Sequence, residues 1–320
     1  MSYIPKNQMH IDQLLSNVAL NYTPQGFFAD QIAPVVKVQK QTDLIKVYSK
    51  ADLWRINNTA RGPATEANRA NISVSSDSYV CKNYALRADV TLEDRKNADA
   101  AFVRELEQGR AMFLTSQLKL AWDLRVAQQV TTSTNVGTAS NVASAWTDNV
   151  NSDPISDLET VMFQIEDATA YKPNKIVFGQ NPWRDFRRND RVINKWHKTG
   201  VDGGAMNVDM NAAAALLEVD KVMVARRYYN SAEEGQTAVI SKMWDDHVLV
   251  YYAPDRASVE VPSFMYSFRW AAAGLPNWQV ERLPYDRFTK SDGMEIGYYQ
   301  DEKILDQSLS GLIMYTDSSQ

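Results

Sequence analysis

The chain has 320 residues, with 34 Lys and Arg against 39 Asp and Glu and a net charge of −5. That length gives room for about two domains and for a core needing no disulfide or metal, and 44% hydrophobic with 23% charged residues excludes wholesale disorder. The acidic balance argues against a protein that coats nucleic acid, while one cysteine, Cys81, and three histidines, His10, His197 and His247, exclude a disulfide framework and leave little for metal or acid–base chemistry.

No basic start followed by an apolar core opens the chain, so no secretory signal is expected. The apolar runs, such as Ala212 to Leu217 and Val248 to Ala253, fall far short of the ~20 residues that span a bilayer. The expectation is a soluble chain with no membrane partner. Residues 1–29 read as an arm, with a short helix over Ile11–Val18 whose apolar residues recur at helical spacing, ended by Thr23-Pro24-Gln25-Gly26. Pro34 starts an extended stretch that continues into Leu44–Tyr48. The polar segment Arg55–Ser78 and the β-rich return Tyr79–Leu86 then predict an extended hairpin with a long polar tip. Such a tip cannot be buried in its own core and is expected in solvent or on a neighbour. Cys81, in this return, reads as a buried thiol without a His partner.

Asn97–Thr131 predicts one helix roughly 50 Å long. One stripe carries Phe102, Val103, Leu106, Phe113, Leu114, Leu120, Ala121, Leu124 and Ala127. A second, Met112, Trp122, Val126 and Val130, predicts a helix with two apolar faces, lying between layers. After a Thr/Ser/Asn-rich connection, Pro154 opens an alternation of helices and strands. It comprises helix 155–169, strand Lys175–Phe178, and a helix with Asn181 as N-cap and Pro182 in its first position. Helix Asn211–Leu217 and strands at 221–225, 237–240 and 247–252 follow, and mark a central α/β unit over about 150–257. Phe264, Tyr266, Phe268 and Trp270 alternate, as do later residues, so the last third reads as β. The simplest arrangement inserts the central unit into a discontinuous domain made of the hairpin base, the long helix and these last strands.

Chemistry-bearing clusters are sparse. Arg184, Arg187, Arg188, Arg191, Lys195 and Lys198 are interleaved with Asp185 and Asp190, which favours a solvated, ion-paired face over a nucleic-acid grip. Asp245-Asp246-His247 reads as turn residues before a strand, since neighbours on an extended chain point apart. The Gly200–Gly204 loop lacks the Lys-Ser/Thr ending of a phosphate cradle, and Glu233-Glu234-Gly235 reads as a hairpin turn. No nucleophile motif or nucleotide fingerprint is found, and no cofactor or metal is expected. The 8 Trp and 15 Tyr read as core and interface packing.

Three phrases and their order carry a resemblance: Leu14–Val38 (LLSNVALNYTPQGFFADQIAPVVKV), Asn174–Phe186 (NKIVFGQNPWRDF), and Leu217–Ala225 followed by Ala238–Tyr252. Over nearly its whole length the chain resembles the major capsid proteins of tailed double-stranded DNA bacteriophages, a fold shared with encapsulins and the herpesvirus capsid floor. The resemblance implies an α+β fold: arm 1–29; peripheral-domain strands 30–95 with an extended loop at about 42–90; spine helix and connection 96–149; inserted axial α/β domain 150–257; and peripheral return strands 258–320. It implies no catalysis, but pentamers and hexamers of the chain closing into an icosahedral shell around DNA that is held weakly and non-specifically.

A separate scaffolding protein is expected, because only a short arm after Met1 precedes the loop where many members carry a long scaffolding segment. A portal and a decoration protein are further expected partners, with assembly in the host cytoplasm and residence in the virion. Candidate inter-subunit contacts are Phe27 and Phe28 on the arm, Trp54, Arg55, Arg61, Glu66 and Arg69 on the loop, and Arg184, Arg188 and Arg191 on the basic helix. Some members cross-link Lys to Asn. Lys50, Lys82 and Asn277 lie in suitable segments, but no acidic catalyst can be assigned and no cross-link is expected. The alternatives are an encapsulin-type compartment, disfavoured by the long 55–78 tip, and an α/β enzyme resting only on the central unit and its Asp245-Asp246-His247 cluster.

Overall fold

Two sheets and one long helix organise the computed structural model, which describes residues 10–48, 52, 54–71, 73–97, 100–142, 144–198, 208–244, 246–258, 261–271 and 277–314. The first sheet has six strands. Its axis is β14 (Ser291–Ile304), which is long enough to pair with several partners. β13 (Asn277–Arg282) lies on one edge. β5 (Lys82–Thr91) and β12 (Met265–Trp270) take successive parts of the other, both antiparallel to β14. β2 (Val35–Val38) extends the sheet beside β12 in parallel, and β1 (His10–Ile11) closes the far side on β13.

β13 carries an irregularity. Its register shifts between Asn277 and Gln279, and Trp278 there adopts a left-handed φ of 59°. A non-glycine residue in that region is strained by about 1–3 kcal/mol. The bulge turns the indole inward, where it is buried and stacks on Tyr298 with centroids 4.5 Å apart. Burial of so large a ring offsets the strain.

A short helix, α3 (Leu92–Asn97), follows β5, and the long helix α4 (Ala100–Val130) comes next. Its 31 residues span about 46 Å. The inner face is a single stripe of Ala111, Leu114, Leu118, Trp122, Val126, Ala127 and Val130, interleaved with buried Glu107, Thr115, Lys119 and Asp123. The expectation of two apolar faces is therefore corrected. Phe113 is 61% exposed and Met112 is also exposed. Charged residues occupy inner positions because each finds a partner there, which breaks the apolar pattern without breaking the face.

The second sheet is ordered β6 (Thr138–Asn141), β15 (Ser310–Met314), β11 (His247–Tyr251), β7 (Lys175–Phe178) and β8 (Lys221–Val224). Helix α5 (Pro154–Thr169) packs on it, with Pro154 in its first turn and the Asp153 carboxylate accepting from the Ser156 amide. The approach is close: a Cβ on Gly311 would lie 2.3 Å from Val161 Cγ1, so only glycine fits. The last strand is thus not a return strand of the first sheet. Leu312 and Ile313 pair with Leu249 and Val248, and the chain's end together with β6 completes the sheet of the central unit. Alternation alone cannot say which of two sheets an apolar strand joins.

The basic segment is two helices, α6 (Gln180–Arg188) and α7 (Asp190–Lys198), broken at Asn189. Buried Asn189 donates to Ser152 Oγ at 2.8 Å and accepts from the Arg191 amide, which starts α7. The first helix begins after Gly179, not after Asn181; the Asn181 amide instead donates to Asp246 at 2.8 Å. Helix α8 (Met210–Leu216) precedes β8, and β9 (Tyr228–Asn230) with β10 (Ile240–Lys242) forms a small hairpin. The turn expected there contains Gly235 at φ 86°. The Gly200–Gly204 loop lies outside the described residues, as do Asp245 and Lys50.

Candidate assembly surfaces

The expected hairpin forms a two-stranded antiparallel ladder, β3 (Thr42–Tyr48) against β4 (Val74–Val80). Period-2 alternation decides what each residue does. Ile45 and Tyr79 face inward and are buried, while Leu44 and Val80 face out. The base is fixed by a small core of Val36, Val38, Ile45, Tyr79, Cys81, Tyr266 and Phe268, with Tyr79 stacked on Phe268 at 4.9 Å. Lys303 holds the Asp77 carboxylate at 2.5 Å and also donates to the Ser78 carbonyl. Asp301 accepts from the Val80 amide at 3.0 Å. Cys81 is buried, its thiol donating to the Phe268 carbonyl, and burial pushes its pKa up to about 11. A thiol this weakly ionised is no nucleophile at neutral pH.

Beyond the ladder every described tip residue from Trp54 to Asn71 is exposed. Local bonds shape the tip: the Arg61 guanidinium donates to the Thr65 carbonyl at 2.6 Å, and the Asn68 amide to the Asn58 carbonyl at 2.7 Å. Asp52 pairs with Arg55 at 3.6 Å and accepts from the Ser73 amide. Glu66 and Arg69 lie open on the surface. Ile56 is 99% exposed and Trp54 58%. Trp54 is not wholly free, since its ring meets Tyr171 of the protein's own central unit edge-on at 6.3 Å. Each of the five loop candidates is therefore exposed on the tip.

The arm candidates sit elsewhere. His10–Ile11 adds a strand to β13, and α1 (Gln13–Asn21), capped by Asp12, runs along α4. Phe28 is 4% exposed and packs edge-on against Trp244. Phe27 packs against Trp122 at 5.2 Å, with the Lys119 ammonium 5.5 Å from its ring. Phe28 is corrected on this point: it is core of its own subunit. The described arm folds back because its apolar residues find a ready stripe on α4.

On the two basic helices Arg184 pairs with Asp185 and Arg191 with Asp153 at 2.6 Å. Arg188 is exposed and makes no ion pair among the described residues. Only Arg188 of the three has its charge left for an outside partner.

Sequence reading missed the charged junction under α4. Asp123 and Arg227 form a buried ion pair at 2.8 Å, and the other oxygen of Asp123 accepts from the Phe28 and Ala29 amides at 3.2 and 2.9 Å. Those amides open α2 (Ala29–Ile32), so one carboxylate caps a helix and holds an arginine. Burial pushes the Asp123 pKa up to about 7, against the pull of Arg227 and the two amides. Arg125 grips Glu302 through two nitrogens at 3.2 and 2.8 Å and lies 3.8 Å over the Tyr84 ring. Arg269 lies among the rings of Trp122, Trp278 and Tyr298, with Gln300 accepting; burial lowers its pKa to about 10. The available signal was the i, i+4 series Glu107, Ala111, Thr115, Lys119, Asp123, in which charge and small residues share one face.

Farther along, alternating charges join five segments: Asp12 to Arg282, Arg282 to Glu107, Glu107 to Arg95, and Arg95 to Asp292, at 2.9, 2.7, 2.9 and 2.6 Å. Among the described residues no group of three or more His, Cys, Asp or Glu could hold a metal. No helix among them is long and apolar enough to cross a membrane. The exposed surfaces described here can bury side chains against another protein.

Comparison with known proteins agrees with the geometry. The family described as Phage major capsid protein E matches residues 109–261. The major capsid protein of Burkholderia phage BcepMu is 23% identical over 85% of this chain and 87% of its own length. A phage-related protein from Bordetella bronchiseptica RB50 superposes with a TM-score of 0.71 at 21% identity, covering 95% of this chain and 96% of that one. An encapsulin complex from Synechococcus elongatus PCC 7942 shares the fold at a TM-score of 0.52 and 10% identity, over 97% of this chain and 98% of that one. The fold is that of phage capsids and encapsulins.

Proposed function

We infer that the chain is a phage major capsid protein, the structural subunit of the virion shell. The observation that carries it is a fold match over 95% of the chain and a sequence match over 85% of it, joined to a hairpin whose tip makes little use of its own subunit. A tip of eighteen exposed residues, Trp54–Asn71, contributes almost nothing to its own core. Its apolar residues gain free energy only when a neighbour covers them, at about 25 cal/mol per Å².

The subunit works by surfaces. Copies associate as pentamers and hexamers, the hairpin lying on an adjacent subunit, and these close into an icosahedral shell around double-stranded DNA. Assembly takes place in the host cytoplasm, with a scaffolding protein and a portal. The negative net charge suits a wall that must not bind packaged DNA tightly. Trp54, Ile56 and Arg188 are the contact residues favoured by exposure, with Arg55, Arg61, Glu66 and Arg69 supplying register.

An encapsulin-type compartment is the second reading, favoured only by the shared fold; the curated relatives matched over 76–85% of this chain are phage proteins. Co-expression with the neighbouring genes, followed by electron microscopy of the sedimenting fraction, tests the proposal. Closed shells that package DNA in the phage are expected. A chain that stays monomeric with scaffold present contradicts the shell, and particles filled with a cargo enzyme favour the compartment.

A further inference from the structure

Phe288 is 99% exposed, yet the turn that carries it is firmly held. The Asp286 carboxylate accepts from the Phe288 amide at 2.9 Å, and the Asp286 amide donates to the Ser291 carbonyl at 3.0 Å. Thr289 and Ser291 hydroxyls bond at 2.7 Å, and the Lys290 carbonyl accepts from Leu92 at 2.8 Å. Lys290 takes a left-handed φ of 48° to close the turn. A turn whose backbone is already fixed loses little further entropy on docking, which suits its exposed aromatic to the role of an interface anchor.

The same chain carries a shallow recess that is open to solvent. A cleft of ≈ 740 Å³ runs between α1 and α4, lined by Leu14, Asn17, Val18, Tyr22, Gln108 and Met112. Leu14 and Met112 are exposed. The turn leaves β13 just after Arg282, and Arg282 is bonded to Glu107 beside Gln108. Phe288 cannot be filling its own cleft, because it is open to solvent. Charge agrees: exposed Arg287 and Lys290 flank the ring, and exposed Glu105 lies one turn before Gln108 on the cleft side of α4.

We propose that Phe288 of one subunit inserts into the α1–α4 cleft of a second copy of this chain, with Arg287 or Lys290 facing Glu105. The contact uses two different patches, so each copy is donor to one neighbour and acceptor for another, and it propagates or closes into a ring. It rests on the shell reading and names a contact separate from the hairpin tip.

The test uses full-length protein with its scaffold. Phe288→Ala should leave the unfolding midpoint of the free subunit unchanged and reduce shell yield about tenfold at fixed concentration, and Phe288→Leu should restore most of it. The double variant Phe288→Cys with Met112→Cys should give covalent oligomers of this chain in oxidised particles, which neither single variant gives. Normal yield from Phe288→Ala together with no covalent oligomers from the double variant, while wild type assembles, overturns this contact and leaves the shell standing. Cross-linking of the Phe288→Cys variant only to the scaffold also overturns it. A wild-type chain that never assembles removes both.

Discussion

The hairpin tip and the charged junction under the long helix contain similar residue types in opposite conditions. The tip holds Trp54, Arg55, Arg61, Glu66 and Arg69 in solvent. The junction holds Trp122, Asp123, Arg125, Arg227 and Arg269 in contact with one another or with neighbouring rings. An arginine on the tip adds little to stability, because exposed ion pairs contribute about 0–1 kcal/mol. At the junction Arg227 and Arg125 are each held by a buried carboxylate, Asp123 and Glu302. The difference separates residues that hold the subunit together from residues that its own fold leaves uncovered.

The sharpest way to break this comparison is at the junction. Arg227→Met should strand Asp123 in the core and lower unfolding stability by about 3–5 kcal/mol, read from urea midpoints of the free subunit. A loss no larger than that of Arg61→Met would remove the distinction. Gly311→Ala comes next. Its Cβ has no room beside Val161, and overpacking should cost about 1–3 kcal/mol. An unchanged midpoint would show that α5 sits farther from the second sheet.

The pH dependence sharpens the comparison further. Because the folded pKa of Asp123 is raised to about 7, its contribution is fully present below the unfolded value, about 3.9, and is lost as pH rises through 7. Wild type should therefore lose stability relative to Asp123→Asn as pH rises from 4.5 to 7.5. The opposite slope would mean that Arg227 and the two amides outweigh burial. The smallest effect on folding belongs to the tip. Deleting 57–71, which spares the β4 ladder, should move the subunit's midpoint by less than about 0.5 kcal/mol, while shells from the deleted chain fall apart at lower denaturant.

The same contrast explains what was legible in the sequence. The hairpin, the long helix and the inserted helix–strand alternation were readable because periodicity and turn residues report local structure directly. The inner face of α4 was not, because Glu107, Lys119 and Asp123 are acceptable inside only through partners far along the chain, such as Arg282, Tyr22 and Arg227. The destination of Leu312-Ile313 depends on which sheet has an open edge, which no local pattern records. Phe28 reads as an arm residue until Trp244 is placed beside it. At the candidate site the loop residues were legible, since a long polar tip cannot be core. Phe288 was not, because a single aromatic in a strand-rich region ordinarily reads as packing.

Hydrogen exchange on free subunits and on assembled particles measures both regions at once. In the free subunit the amides of α4 around Asp123 should already be protected, and those of 54–71 should exchange freely. In particles the tip amides should become protected while the junction changes little. Tip amides that exchange as fast in particles as in the free subunit would contradict the central claim, that this hairpin tip is left by its own subunit for a neighbour to cover.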